Sequence, residues 1–87
     1  MKLIIAVIRD MDADAVTQGL TSAGLRVTRT ASTGGLLRRG VTTLLIGVED
    51  KEVEQAIEVL RKDCSPAPAG EKRATIFVVP VERYEQL

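Results

Sequence analysis

Three short runs restrict the fold more than anything else in the chain: LIIAVI at residues 3–8, TTLLIGV at 42–48 and ATIFVV at 74–79. Each is too short for a core helix and rich in β-branched residues. Each is also apolar on successive positions, the pattern of a strand buried on both faces. A fourth run, LRVTRTA at 25–31, alternates apolar and polar residues and reads as a half-exposed strand. Two helical stripes fall between the strands. Ala13, Val16, Leu20 and Ala23 recur at helical spacing, with Asp10, Asp12 and Asp14 at the start and Gly24 as the stop, which predicts a helix over residues 11–23. Val53, Ala56, Ile57, Leu60 and Cys64 form the second stripe, with Asp50 as its expected cap. Glu52, Glu54 and Glu58 lie early in it, and Arg61 and Lys62 lie late, as the helix dipole prefers. The order β-α-β-β-α-β is the ferredoxin-like pattern of an α+β domain: one four-stranded antiparallel sheet with both helices on one face.

That architecture conflicts with the strands themselves. Two helices cover one face of a sheet, yet three strands are apolar on both. Each large aliphatic side chain left in water forgoes about 1.5–3 kcal/mol. With 87 residues the chain makes one domain, 1–87, and has no third layer to offer. The cover expected is other copies of the chain, in an obligate homo-oligomer.

Composition narrows the function. Lys+Arg and Asp+Glu are both 12, so no global field draws the chain to nucleic acid or a membrane surface. Phe77 and Tyr84 are the aromatic residues, too few for an RNA reader that stacks bases. There is no His, and Cys64 is the single cysteine, which leaves no disulfide framework and no Cys/His metal site. Cys64 falls on the buried stripe and reads as a small core residue. An unpaired thiol fits a reducing cytoplasm. The first apolar run is too short to span a membrane and lacks a signal peptide's cleavage region. Pro66, Pro68 and Gly70 make residues 65–73 a loop, Pro80 ends the last strand, and Tyr84 and Leu87 are possible anchors for a polar tail.

One stretch is too odd for a minimal hairpin: ASTGGLLRRGVTT, from Ala31 to Thr43. Gly34 and Gly35 open positive-φ conformations and let a ligand approach the peptide N–H groups, which can cup an anion. Arg38 and Arg39 add positive charge, and Leu36 and Leu37 add apolar surface. A ligand with phosphates and flat bases would need these features. The same residues also suit a long hairpin loop with solvated arginines. Gly47, inside a buried strand, marks either a bulge or a close approach of backbone or ligand.

Taken together, MKLIIAVIRDMD at the start, LRVTRTASTGGLLRRGVTTLLIGVED in the middle and ATIFVVPVERYEQL at the end resemble the cyclic-di-AMP receptor family, a PII-like signalling group. The most specific segment runs from Thr33-Gly34-Gly35-Leu36-Leu37-Arg38 through Gly40 to Thr42-Thr43. The resemblance implies a cytoplasmic, non-enzymatic homotrimer of ferredoxin-like subunits that binds cyclic di-AMP between neighbours, with no cofactor or metal and an unknown downstream protein partner. It implies ligand contacts from Arg26 and Thr28, from Gly34, Gly35, Leu36, Leu37 and Arg38, and from Gly47, Phe77 and Gln86. The chain departs from the family at three places. Leu36 stands where an aromatic residue is usual, Val41 where an Asn is usual, and the 65–73 loop is short. The alternatives are a PII protein proper or an amino-acid-binding ferredoxin-like module. An acylphosphatase-like enzyme would want an Arg and an Asn around the first strand; Arg9 is there, but the chain has no Asn.

Overall fold

The structure, a computed structural model, describes residues 1–30 and 40–87. Strand β1 (Lys2–Arg9) leads through a 3-10 turn (Asp10–Asp12) into helix α1 (Ala13–Ser22). Strands β2 (Arg26–Arg29) and β3 (Val41–Val48) follow, then a second 3-10 turn (Asp50–Glu52), helix α2 (Val53–Asp63) and strand β4 (Ala74–Pro80). The sheet order is β2-β3-β1-β4, with every neighbouring pair antiparallel. This is the ferredoxin-like arrangement expected from the sequence.

Both helices begin later than the acidic residues suggest, because a 3-10 turn takes up those residues first. At α2 the expected cap, Asp50, is replaced by a capping box one residue earlier: the Glu52 carboxylate accepts from the Glu49 backbone N–H at 2.8 Å, and the Glu49 side chain returns the bond. Helix α1 ends at Gly24, whose φ of 83° is the left-handed value that favours glycine. Gly24 N–H donates to the Thr21 carbonyl at 2.9 Å and Leu25 N–H to the Leu20 carbonyl at 3.0 Å, a Schellman closure. Leu25 is therefore spent on the helix end and buried there, and β2 starts one residue later than its alternation implied.

Alternate residues of the central strands build the core. Ile4, Ala6 and Ile8 of β1 and Leu44, Ile46 and Val48 of β3 are buried with Val16 and Leu20 of α1, Ala56 and Leu60 of α2, and Cys64 just beyond it. The helices cross closely at Gly19, where a Cβ would collide with the Asp63 carboxylate.

Among the described residues, no helix or second sheet covers the opposite face. Its register forms three rows. Arg26, Gly47, Leu3 and Val79 make the first, and Thr28, Leu45, Ile5 and Phe77 the second. Thr43, Val7 and Thr75 make the third. Leu3, Ile5, Val7 and Leu45 are half-buried, while Phe77 is 55% exposed. Edge strand β4 exposes Phe77 and Val79 on this face and Val78 on the helix-facing side as well.

The end of the sheet where β1 stops is tied together by the first 3-10 turn. Asp12, 4% exposed, accepts from the Ser65 N–H at 3.1 Å and from the Ser65 hydroxyl. Arg9 pairs with Asp12 at 3.1 Å and donates to the carbonyls of Ser65 and Pro66. Asp10 N–H donates to the Gly40 carbonyl at 3.2 Å, and the buried Thr42 hydroxyl donates to the Asp10 carboxylate at 2.6 Å.

Candidate functional site

The first row of the open face ends at a cavity of about 630 Å³, a size usual for small-ligand sites. It lies where β1 and β2 begin and β3 and β4 end. Arg26 and Gly47 lie side by side in the row, and Thr28 is one row further in. All three line the cavity, as does Gln86 from the tail. Four of the residues singled out from the sequence therefore share one hollow.

Each lining residue has a structural reason for being there. Short strand β2 leaves Arg26 exposed at its first position, and among the described residues its guanidinium finds no partner. The other described arginines are engaged: Arg9 with Asp12, Arg29 with Asp14, Arg61 with Glu58, Arg73 with backbone carbonyls, and Arg83 with Glu85. Gly47 sits in an unbroken ladder, paired with Leu3 and Arg26, so of the two readings of this glycine the bulge is ruled out. A Cβ there would meet only the Met1 Cε, at an ordinary 3.5 Å. The fold of one protomer therefore does not require glycine at this position; a side chain would take up cavity space instead. The tail is held beside the cavity by a bond from Val81 N–H to the Met1 carbonyl at 3.2 Å. This anchor, which nothing in a short irregular tail signals, brings Arg83, Tyr84 and Gln86 to the cavity wall.

The lining carries charges of both signs. Lys2, Arg26 and Arg83 face Glu49 and Glu52, and both carboxylates are engaged in the α2 capping box. With the Met1 ammonium also at the wall, the cations outnumber the carboxylates, which suits an anionic ligand.

Phe77 shares a row with Thr28 but is three strands away, roughly 14 Å at the usual strand spacing, and it does not line the cavity. Gly34, Gly35, Leu36, Leu37, Arg38 and Arg39 lie outside the described residues. The chain enters and leaves that stretch at Thr30 and Gly40, at the opposite end of the sheet from Arg26 and Gly47. Cys64 is buried beside a smaller hollow of about 370 Å³ between α2 and β4, and burial, with Asp12 nearby, pushes its thiol up. Two cations of that hollow are occupied, Arg61 with Glu58 and Arg73 with the Arg61 carbonyl at 3.1 Å.

Comparison with known proteins settles the lineage. A family model described as cyclic-di-AMP receptor matches residues 1–69. The chain belongs to the cyclic-di-AMP receptor family. The match spans the cavity residues Arg26, Thr28 and Gly47 and the glycine stretch, and it stops before Phe77 and Gln86. Among solved structures, a functionally unknown protein from Pediococcus pentosaceus is similar to this family member, with 30% identity and a TM-score of 0.80 over 99% of this chain and 96% of that one. The cyclic-di-AMP receptor resemblance and the ferredoxin-like fold read from the sequence are both upheld by these matches. Among the described residues of this receptor-family chain, no helix is long and apolar enough to cross a membrane.

Proposed function

We propose that the chain is a non-enzymatic, PII-like cytoplasmic signalling protein. It binds cyclic di-AMP, or a closely related nucleotide, at the junctions between subunits of a homotrimer. The observation that carries this reading is the division of the site residues. Arg26, Thr28, Gly47 and Gln86 line a cavity at one end of the sheet, whereas the glycine stretch departs from the other end and Phe77 lies on the far edge strand. A neighbouring copy packed on the open apolar face would bring its glycine stretch to this cavity and complete the set. Arg26, unpaired among the described residues, would take a phosphodiester, with the Thr28 hydroxyl as a second donor. Gln86 would pair with a base edge.

An acylphosphatase-like reading loses its main residue, because Arg9 is committed to Asp12 and to the carbonyls of Ser65 and Pro66. Calorimetric titration of the purified protein with cyclic di-AMP, cyclic di-GMP, ATP and ADP tests the proposal. Saturable heat from cyclic di-AMP above that from ATP is expected. Heat only from small amino acids or 2-oxoglutarate would move the protein to another class of regulatory module.

A further inference from the structure

We infer that Tyr84 is the base-stacking surface of the ligand cavity and sets its preference for a planar purine. The inference rests on the nucleotide reading above and adds a residue to it. Tyr84 lies in the irregular tail beyond β4, outside the stretch that the family model matches. The bond from Val81 N–H to the Met1 carbonyl holds the root of this tail against the start of β1. From there Tyr84, 54% exposed, joins the cavity wall. It is the one aromatic residue in that wall, since Phe77, the chain's other aromatic, lies outside the cavity.

The rest of the wall supplies what a nucleotide needs apart from a π surface. Arg26 is a cation without a partner among the described residues, Thr28 is a hydroxyl donor, and Gln86 can read a base edge. Gly47 carries no side chain, and only the flexible end of Met1, 3.5 Å from where a Cβ would stand, lies before it among the described residues, so a flat group that displaces that end can lie close to the backbone. An aromatic face beside such a gap holds a base by stacking, and that contribution is lost when the ring is removed and kept when only its hydroxyl is removed.

The chain provides its own reporter. Tyr84 is its only tyrosine and it has no tryptophan, so intrinsic emission reads this ring alone. Cyclic di-AMP is titrated into the intact protein while heat and tyrosine emission are followed together. Quenching that saturates with the heat is expected. Tyr84→Phe should bind within about twofold of the original protein, and Tyr84→Ala should bind roughly 5- to 100-fold more weakly with an unchanged circular dichroism spectrum. Heat with unmoved tyrosine emission, or a Tyr84→Ala protein that titrates like the original, would overturn this inference and leave the nucleotide reading standing. No heat from any nucleotide would overturn both.

Discussion

At the scale of single residues, the most informative group outside the cavity is Asp12. Its place in the sequence suggests a helix-start acid, but its partners are Ser65, 53 positions away, and Arg9. Burial alone would raise the Asp12 carboxyl. The Ser65 hydroxyl, the Ser65 N–H and the Arg9 guanidinium together outweigh burial and hold it below the usual carboxylate range. A carboxyl held low in the folded state stabilises fully above its unfolded value, and that stability is lost as pH falls through the folded one. Asp12→Ala should therefore cost on the order of 3 kcal/mol at neutral pH, since it strands Arg9 and the two Ser65 donors. The gap between the original and variant proteins should stay constant down to about pH 4 and narrow below it. Urea unfolding of both proteins at neutral pH and at pH 3 checks the magnitude and the sign. No local pattern could have foretold this cluster, because its members meet only after the fold has formed.

At the scale of elements, the strands and helices were legible because their periods are strong. Ile4, Ala6 and Ile8 alternate with Leu3, Ile5 and Val7, and Val16 and Leu20 keep helical spacing. The ends were less legible, because 3-10 turns absorb Asp10–Asp12 and Asp50–Glu52, and their propensities do not differ from those of a helix's first turn. The candidate site divides in the same way. Arg26, Thr28 and Gly47 could be named from family resemblance, but their shared cavity follows from the β2–β3 register. Tyr84 and Arg83 were not named as site residues, since an irregular tail has no period to read. Strand β3 tests the distinction between fold and site. Its ladder runs through Gly47 without a bulge, and a Cβ meets only Met1 at 3.5 Å. Gly47→Ala should leave thermal stability within about 1 kcal/mol of the original, on the stabilising side. It should weaken nucleotide binding roughly tenfold through steric misfit in the cavity. Thermal melts and titrations on the same preparations separate the two effects; a large loss of stability would make the glycine a requirement of the fold instead.

At the scale of the whole molecule, the unsheltered sheet face is the dominant fact. The sequence conflict of apolar strands with helices on one side only persists in the folded protomer, where Leu3, Ile5, Val7 and Leu45 stay half-buried and Phe77 and Val79 remain exposed. Ile5 lies inside this surface, between Leu45 and Phe77. Ile5→Lys should place an unpaired ammonium in the proposed seam at a cost of several kcal/mol per subunit. Sedimentation should then report folded monomers, and nucleotide heat should vanish with the assembly. A variant that still sediments as a trimer would show that copies meet elsewhere. The turn at Asp10–Asp12 has a mechanical consequence of its own. Asp10 and Asp12, with Arg9 before them, hold Gly40 and Thr42 on one side and Ser65 and Pro66 on the other. The start of β3 and the chain just after α2 are thus fastened to one short piece of backbone, like two straps on a single pin.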